Sequence, residues 1–442
     1  MFILDLLIVF IVLVISMLFC LIRNFSMCIA LLIGLIGFII ISMKRGFSIK
    51  DIIKMAASGV KDALIVVEVL VLIGALTGLW RSSGTIAYFV YNGLKIITPN
   101  LFIIIAFLLT TVVSFAMGTC FGVTGTVGVI LMAVARAGGV NPLAAAGAII
   151  SGVYFGDRCS PTSSAASLVA VITKTDLYEN IKLMLKSVLI PYIITFALYT
   201  LLSFANPIKS VDAELSNALR TDFQMTIWCA APAAIILIFA LLKISVKKAI
   251  TASIVISALV TVFVQKTPFN DMLKTAFWGF TMNNSSLASI LSGGGIFSMF
   301  ETALIVLISS TYSGILNGTS LLENVETIIE KMTLFLGRFV TTCIVSVLSV
   351  FIFCNQTIGS MIVNQLMFKT YQKQNASNSE LMLDIENSVI VISGLVPWAI
   401  ASSVPRSMLG VGWQSTPYMF LLYILPLCYG LSKKKLSKWY GF

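Results

Sequence analysis

No histidine occurs anywhere in this sequence. Imidazole metal ligands, an H-E-x-x-H protease site and histidine proton relays are therefore excluded, and carboxylates are left as the side chains suited to carry a proton. Charge is scarce as well, since Asp, Glu, Lys and Arg together make up 11% of the chain, and no stretch is polar enough to form a soluble domain. The eight cysteines stand singly, mostly inside apolar runs, with no C-x-x-C pair. They read as small packing residues rather than metal or dithiol centres. G-x-S-x-G is absent. The pair Gly156-Asp157 could suggest an intramembrane aspartyl protease, but that pattern needs a glycine where Tyr154 stands and a second catalytic aspartate on another span. The reading is of a protein without cofactor or resident metal, and not of an enzyme.

What is abundant is apolar surface: 58% of the residues are hydrophobic and the mean hydropathy is +1.02. Lipid is the solvent that such a chain requires. A crossing needs roughly 20 apolar residues, and spans are expected at about 2–22, 25–42, 63–80, 141–172, 186–205, 225–242, 249–264, 296–316, 388–412 and 416–431. The first run has no basic leader or small-residue cleavage site and is read as a retained helix. Two further apolar segments, 100–137 and 335–367, are interrupted by "GTCFGVTGT" (118–126) and "CNQTIGS" (354–360), and each is a crossing or a re-entrant hairpin. The fold class expected is an all-α polytopic membrane protein with about ten transmembrane helices plus two re-entrant hairpins or broken helices.

The formal charge of +11 lies in short juxtamembrane loops, where topology and anionic headgroups explain it. No basic face is interleaved with aromatics, so nucleic acid is not a partner. Lys44, Arg45, Lys50, Lys54 and Lys61 place the loop after the second span inside. If 100–137 is a hairpin, then Lys174, Lys182, Lys186, Lys243, Lys247, Lys248, Lys369, Lys373 and the tail Lys433, Lys434, Lys435 and Lys438 also fall inside. The loop with Asp212, Glu214 and Asp222 then falls outside, and both termini are cytoplasmic. A single crossing would put Lys243 to Lys248 outside, so the hairpin is preferred. The expected location is a bacterial-type plasma membrane, with the lipid bilayer and a transported ion or small solute as partners and a homodimer left open.

Short matches recur in order: "DIIK" (51–54) with "DMLK" (271–274), "ALIV" at 63–66 and 303–306, "ISG" at 150–152 and 392–394. They imply two repeats, and five crossings plus one hairpin per repeat make the second inverted. The expected organisation is a first repeat at 1–206, an external linker at 207–224, a second inverted repeat at 225–431 and a basic tail at 432–442.

Backbone that leaves helical geometry at membrane depth must be buried in protein or line a wet cavity. Four stretches qualify: Gly118 to Thr126, Gly156 to Ser164, Cys354 to Ser360 and Ser393 to Pro405. Asp157 and Arg158 stand together in the second, and an ionised group at bilayer depth costs roughly 2.5–3.5 kcal/mol even on lenient scales. The bland reading is a structural pair of Arg158 with Asp157. The functional one is a cation shell in which Asp157 is joined by Ser160, Thr162, Ser163 and Ser164, by Thr119, Thr124 and Thr126 of the first hairpin, and by Asn355, Gln356, Thr357 and Ser360 of the second. These polar side chains also serve elsewhere merely as interhelical glue. Glu68 and Glu386 are further proton-coupling candidates beside Asp157. Snorkelling explains Glu68 equally well, and a helix N-terminus explains Glu386.

At "LIGALTGLWRSSGT" (72–85), "GTCFGVTGTVGV" (118–129), "NPLAAAGAIISGVYFGDRCSPTSS" (141–164) and "LMLDIENSVIVISGLVPWAI" (381–400), the chain resembles the NhaC-type sodium/proton antiporter family, within the larger ion transporter superfamily. The resemblance runs from about residue 50 to residue 430. It implies ten or more spans and solute exchange driven by sodium or proton gradients. Against the family pattern, Ser164, Asn355 and Asn387 stand where acids are usual, while Asp157 and Glu386 remain. Fewer fixed negative charges suit an organic anion or amino acid better than a bare cation pair. A sodium- or proton-coupled organic acid or amino acid exchanger of the same family is thus the alternative to sodium/proton antiport, and a passive ion channel is the alternative from another class.

Overall fold

A computed structural model describes residues 2–23, 25–96, 99–208, 213–242, 244–282, 287–288, 291–319 and 326–433. Asp212, Lys243, Lys434, Lys435 and Lys438 lie outside the described residues. Among those described no β-strand forms; an isolated bridge pairs Phe280 with Gly293.

The first half comprises α1 (Phe2–Arg23), α2 (Met27–Lys44), α3 (Ile49–Ser82), α4 (Thr85–Ile96), α5 (Phe102–Met117), α6 (Cys120–Ala137), α7 (Pro142–Cys159), α8 (Ser164–Thr173) and α9 (Leu177–Ala205). The rest comprises α10 (Ala213–Asp222), α11 (Ala231–Leu241), α12 (Val246–Val264), α13 (Phe269–Trp278), α14 (Phe300–Gly318), α15 (Glu326–Leu336), α16 (Arg338–Phe353), α17 (Gln356–Lys373), α18 (Asn378–Leu395), α19 (Ile400–Leu409) and α20 (Phe420–Ser432). Among the described residues six stretches are long and apolar enough to cross a membrane: Met27–Lys44, Ala63–Ser82, Cys120–Ala137, Leu177–Ala205, Val246–Val264 and Ile296–Leu316. The pair α18 and α19, bent by 47°, raises this to seven. Ile15, Ile22, Val112, Val171, Leu201 and Leu427 are exposed on the outer surface, which suits hydrocarbon and not water. This is a polytopic membrane protein.

Two of the expected spans are corrected. The stretch read as one span over 141–172 is two helices, because α7 ends at Cys159 and Ser163 caps a new helix by accepting from the Ala165 and Ala166 amides at 3.1 and 3.2 Å. The stretch read as 388–412 begins ten residues earlier, where the Ser377 hydroxyl accepts from the Glu380 amide at 3.1 Å. Glu380 and Asp384 lower the local hydropathy and hid this start.

Packing fixes the course of the chain through the interior. Gly152 lies against Phe107 and Thr110, and Gly156 lies against the Ser114 backbone, so α5 and α7 run parallel. Gly128 lies against Ile149, while four residues join Ala137 to Pro142, so α6 runs antiparallel to α7. The chain therefore reverses between α5 and α6, at Gly118 and Thr119. The second half repeats the arrangement. Arg338 bonds Glu380 and Ser346 bonds Ser388, which aligns α16 with α18, while Thr342 meets Tyr371 and Val350 meets Gly359, which turns α17 back along α16.

Candidate functional site

Both reversals use the same backbone device. In the first, Gly118 adopts a left-handed conformation (φ 65°) and Thr119 an extended one before α6 starts at Cys120. In the second, Cys354 is left-handed (φ 55°) and Asn355 extended before α17 starts at Gln356. Thr119 and Asn355 are N-caps. The Thr119 hydroxyl accepts from the Gly122 amide at 3.4 Å, and the Asn355 side-chain oxygen accepts from the Thr357 and Ile358 amides at 2.9 and 3.3 Å. Each tip rests on the break of the neighbouring helix pair: Gly118 against Thr162 and Ser163, and Cys354 through its carbonyl, which accepts from the Ile400 amide at 2.7 Å.

Asp157 stands where the two tips meet, 8% exposed. Its Oδ1 accepts from the Cys120 amide at 3.3 Å, and its Oδ2 accepts from the Gln356 Nε2 at 3.4 Å. One carboxylate is thus held by the first helical residue of both tips. Both bonds are long, so the carboxylate is loosely satisfied and keeps lone pairs for a cation or a proton. The Ser163 hydroxyl donates to the Asp157 carbonyl, and Ser160 and Thr162 share a hydroxyl hydrogen bond of 2.8 Å. Ser163 and Ser160 are buried, whereas Thr162, Ser164 and Thr357 are exposed.

Other candidates are turned to backbone duties. Thr124 donates to the Cys120 carbonyl at 2.8 Å, Thr126 to the Gly122 carbonyl at 2.7 Å and Ser360 to the Gln356 carbonyl at 2.8 Å. Thr124 and Thr126 lie in a π-helical turn, Thr124–Gly128, the sort of local widening found at functional breaks. Glu68 is well exposed and paired with Lys247, outside the Asp157 shell.

The structural pair of Arg158 with Asp157 does not form. Successive residues on a helix diverge by about 100°, and the Arg158 guanidinium turns away. It donates to the Asn387 side-chain oxygen at 2.6 Å, the Ser187 hydroxyl at 2.8 Å, the Glu386 carbonyl at 3.2 Å and the Met184 carbonyl at 3.4 Å. Arg158 thereby ties α7 to α9 and α18. The reading of Glu386 as a charge at a helix N-terminus is also overturned: it sits two turns inside α18 in a second π-helical turn, Glu386–Ile390, fully buried. Neither of its carboxylate oxygens has a hydrogen-bond partner among the described residues.

Sequence reasoning missed an inner network on α18. Asp384, fully buried, accepts from Tyr371, from Tyr429 at 2.7 Å and from Lys433; Glu380 pairs with Arg338 at 2.9 Å and with Lys433 at 2.8 Å. Acids two to six residues before Glu386 in a run that is otherwise apolar were the available signal.

Polar helix breaks meeting at a buried carboxylate, inside a bundle with an apolar exterior, define a multi-pass membrane transporter of ions or small solutes. The chain belongs to the Na+/H+ antiporter family, whose model matches residues 1–164 and 152–431. It is 27% identical to a malate-2H+/Na+-lactate antiporter of Bacillus subtilis (91% of this chain, 88% of that protein) and 28% identical to the Na+/H+ antiporter NhaC of the same organism (86% of each). It is 29% identical to an uncharacterized Na+/H+ antiporter of Haemophilus influenzae (91% and 89%). The family expected from the four sequence segments is the family found, and it contains both sodium/proton and organic acid antiporters.

Proposed function

We propose that this protein exchanges sodium for protons, with Asp157 as the group at which the two ions compete. The observation that carries the reading is the shared hold on Asp157 by the Cys120 amide of one tip and the Gln356 side chain of the other. A carboxylate bonded to both movable halves senses their relative position, as alternating access requires. A cation there would draw on Asp157, on Gln356 and on lone pairs of Ser160 and Thr162. Protonation of Asp157 removes the charge that holds the cation, so the two forms exclude each other. A cavity of about 210 Å³ between Met117, Thr162, Ser245 and Val246 supports an ion route to the first tip from the α12 end, which bears Lys247 and Lys248.

The same reading takes the chain as a first repeat over 1–206, a linker over 207–224 and an inverted second repeat over 225–431, with ten crossings, two re-entrant hairpins and both termini cytoplasmic. Supporting the inversion, α7 and α8 run from the base of the first hairpin past its tip to Ile172, whose carbonyl accepts from Asn364 of α17 at 3.1 Å. Conversely, α18 and α19 run from the base of the second hairpin to Leu409, whose carbonyl accepts from Arg136 of α6 at 2.7 Å. Both contacts support hairpins that enter from opposite ends.

The experiment is sodium-driven proton flux in proteoliposomes, normalised to correctly inserted protein. Asp157→Asn is expected to abolish flux while the protein elutes and melts as a folded species. Unchanged flux per molecule would leave Asp157 with no transport role.

A further inference from the structure

A cavity of about 520 Å³ opens between α1, α15 and the second hairpin. Its walls include Phe10 and Val14 of α1, Met332 of α15, Leu348 and Phe353 of α16 and Ile362 of α17, and Ser349 is the one polar residue among the described lining. Ile15, Ile328 and Leu348 line it and are at the same time exposed on the outer surface, so the cavity is a groove that opens sideways toward lipid. Small-molecule pockets measure about 300–1,000 Å³. The groove is therefore large enough for a ligand, and its lining selects hydrocarbon, because water would find no polar partners along it.

The two ends of the groove lie at different depths. At one end α15 reaches the base of the hairpin, where Glu330 pairs with Lys373. Lys331 is exposed on the same helix, and Leu334 and Phe335 are 80% and 89% exposed. A short helix that carries charges together with bare apolar side chains has the pattern of the bilayer interface. At the other end stands Phe353, the last residue of α16 before the tip at Cys354. Along α16 the lining runs from Ile344 to Phe353, a rise of about 14 Å at 1.5 Å per residue. One leaflet of hydrocarbon is roughly 15 Å deep, half of a core of about 30 Å. The groove thus has the length, the chemistry and the direction of a single acyl chain that enters from the interface.

We propose that this groove binds one acyl chain of an anionic phospholipid of the surrounding bilayer, with the chain end against Phe353 and the phosphate at Lys331. A basic side chain at the interface attracts an anionic headgroup, and the sideways opening lets the second chain stay in the bilayer. The bound chain braces the second tip. Phe351 lines the groove, meets the Trp398 ring edge-on at 5.0 Å and accepts at its carbonyl from the Trp398 indole at 3.2 Å. Two residues beyond Trp398, the Ile400 amide donates to the Cys354 carbonyl at 2.7 Å. Lipid is thereby coupled to the tip that carries Gln356, whichever ion or solute is exchanged.

The first test uses a variant whose sole tryptophan is Trp398, 2% exposed, in phosphatidylglycerol vesicles with and without bromine on the acyl chains. Bromine quenches tryptophan only at close range. Strong quenching is expected, and quenching at least threefold weaker once Val14→Phe and Leu348→Phe together fill the groove. Native mass spectra of the gently delipidated full chain should retain one phosphatidylglycerol per molecule. Lys331→Gln, a surface change that covers the case in which the filled variant does not fold, should lower the preference for phosphatidylglycerol over phosphatidylcholine several-fold. Returning phosphatidylglycerol to delipidated protein should slow hydrogen exchange of the Thr357 and Ile358 amides several-fold. No retained phospholipid, equal quenching in the folded filled variant, or a Val14→Cys variant that cross-links to a second copy would overturn the proposal, the last by giving the groove to a dimer. An unchanged headgroup preference in Lys331→Gln would remove the phosphate from Lys331, and unchanged amide exchange would remove the bracing.

Discussion

Asp157 and Arg158 are neighbours in the chain with opposite tasks in the molecule. Asp157 faces the two tips with two long hydrogen bonds, while Arg158 fills its donor positions on α9 and α18. Arg158 is therefore a structural clamp. Arg158→Gln would remove the guanidinium donors to the Glu386 carbonyl and to the Asn387 oxygen, which would keep only the 3.4 Å bond from the Ser187 hydroxyl, at about 1–3 kcal/mol for a buried group left unsatisfied. A melting temperature several degrees lower and a smaller inserted yield are expected, with flux per inserted molecule largely retained. A loss of flux at unchanged stability would instead place Arg158 in the transport path. The sequence made both residues visible as charges at a helix break, and adjacency suggested a pair between them. Which way each side chain points depends on the helical phase and on Asn387 and Ser187, which are 229 and 29 residues away from Arg158 in the chain.

The two tips share their backbone conformation but not the residue that adopts it. Gly118 carries the left-handed turn at no steric cost, and a Cβ there would also run into Thr162 and the Ser163 backbone. Cys354 carries it with a side chain, at roughly 1–2 kcal/mol. The substitutions should therefore be asymmetric. Gly118→Ala is expected to lower the melting temperature and cut flux by an order of magnitude or more, whereas Cys354→Gly is expected to fold and transport. Thermal melting and vesicle flux on both variants check this, and equal tolerance of the two would mean that the first tip can shift away from α8. The interruptions at 118–126 and 354–360 were legible because glycine and polar residues break apolar runs. The start of α18 was not, because Glu380 and Asp384 look foreign to a membrane until Arg338, Tyr371, Tyr429 and Lys433 arrive from other helices.

For the whole molecule, the proposed layout, in which the hairpins enter from opposite ends, gives each face its own chemistry, with Arg136 near the base of the first hairpin and Glu380, Asp384, Arg338 and Lys433 near that of the second. In the proposed orientation, with the lysine-rich face cytoplasmic, a cysteine replacing Asn217 should react with an impermeant maleimide on intact cells, and one replacing Lys373 only after permeabilisation. The reverse pattern would invert the assignment of the two mouths. Composition by itself determined that the protein lives in lipid, since no arrangement of so apolar a chain hides it from water. Four ordered segments determined the family, and glycine and polar interruptions marked where helices break. Only the tertiary structure decided that the breaks converge on Asp157, that Arg158 leaves it and that Glu386 is buried with no hydrogen-bond partner among the described residues. The physical reason is range: hydropathy and helix-breaking act over a few residues, whereas the partners of a buried charge come from helices that are distant in the chain and meet only on folding.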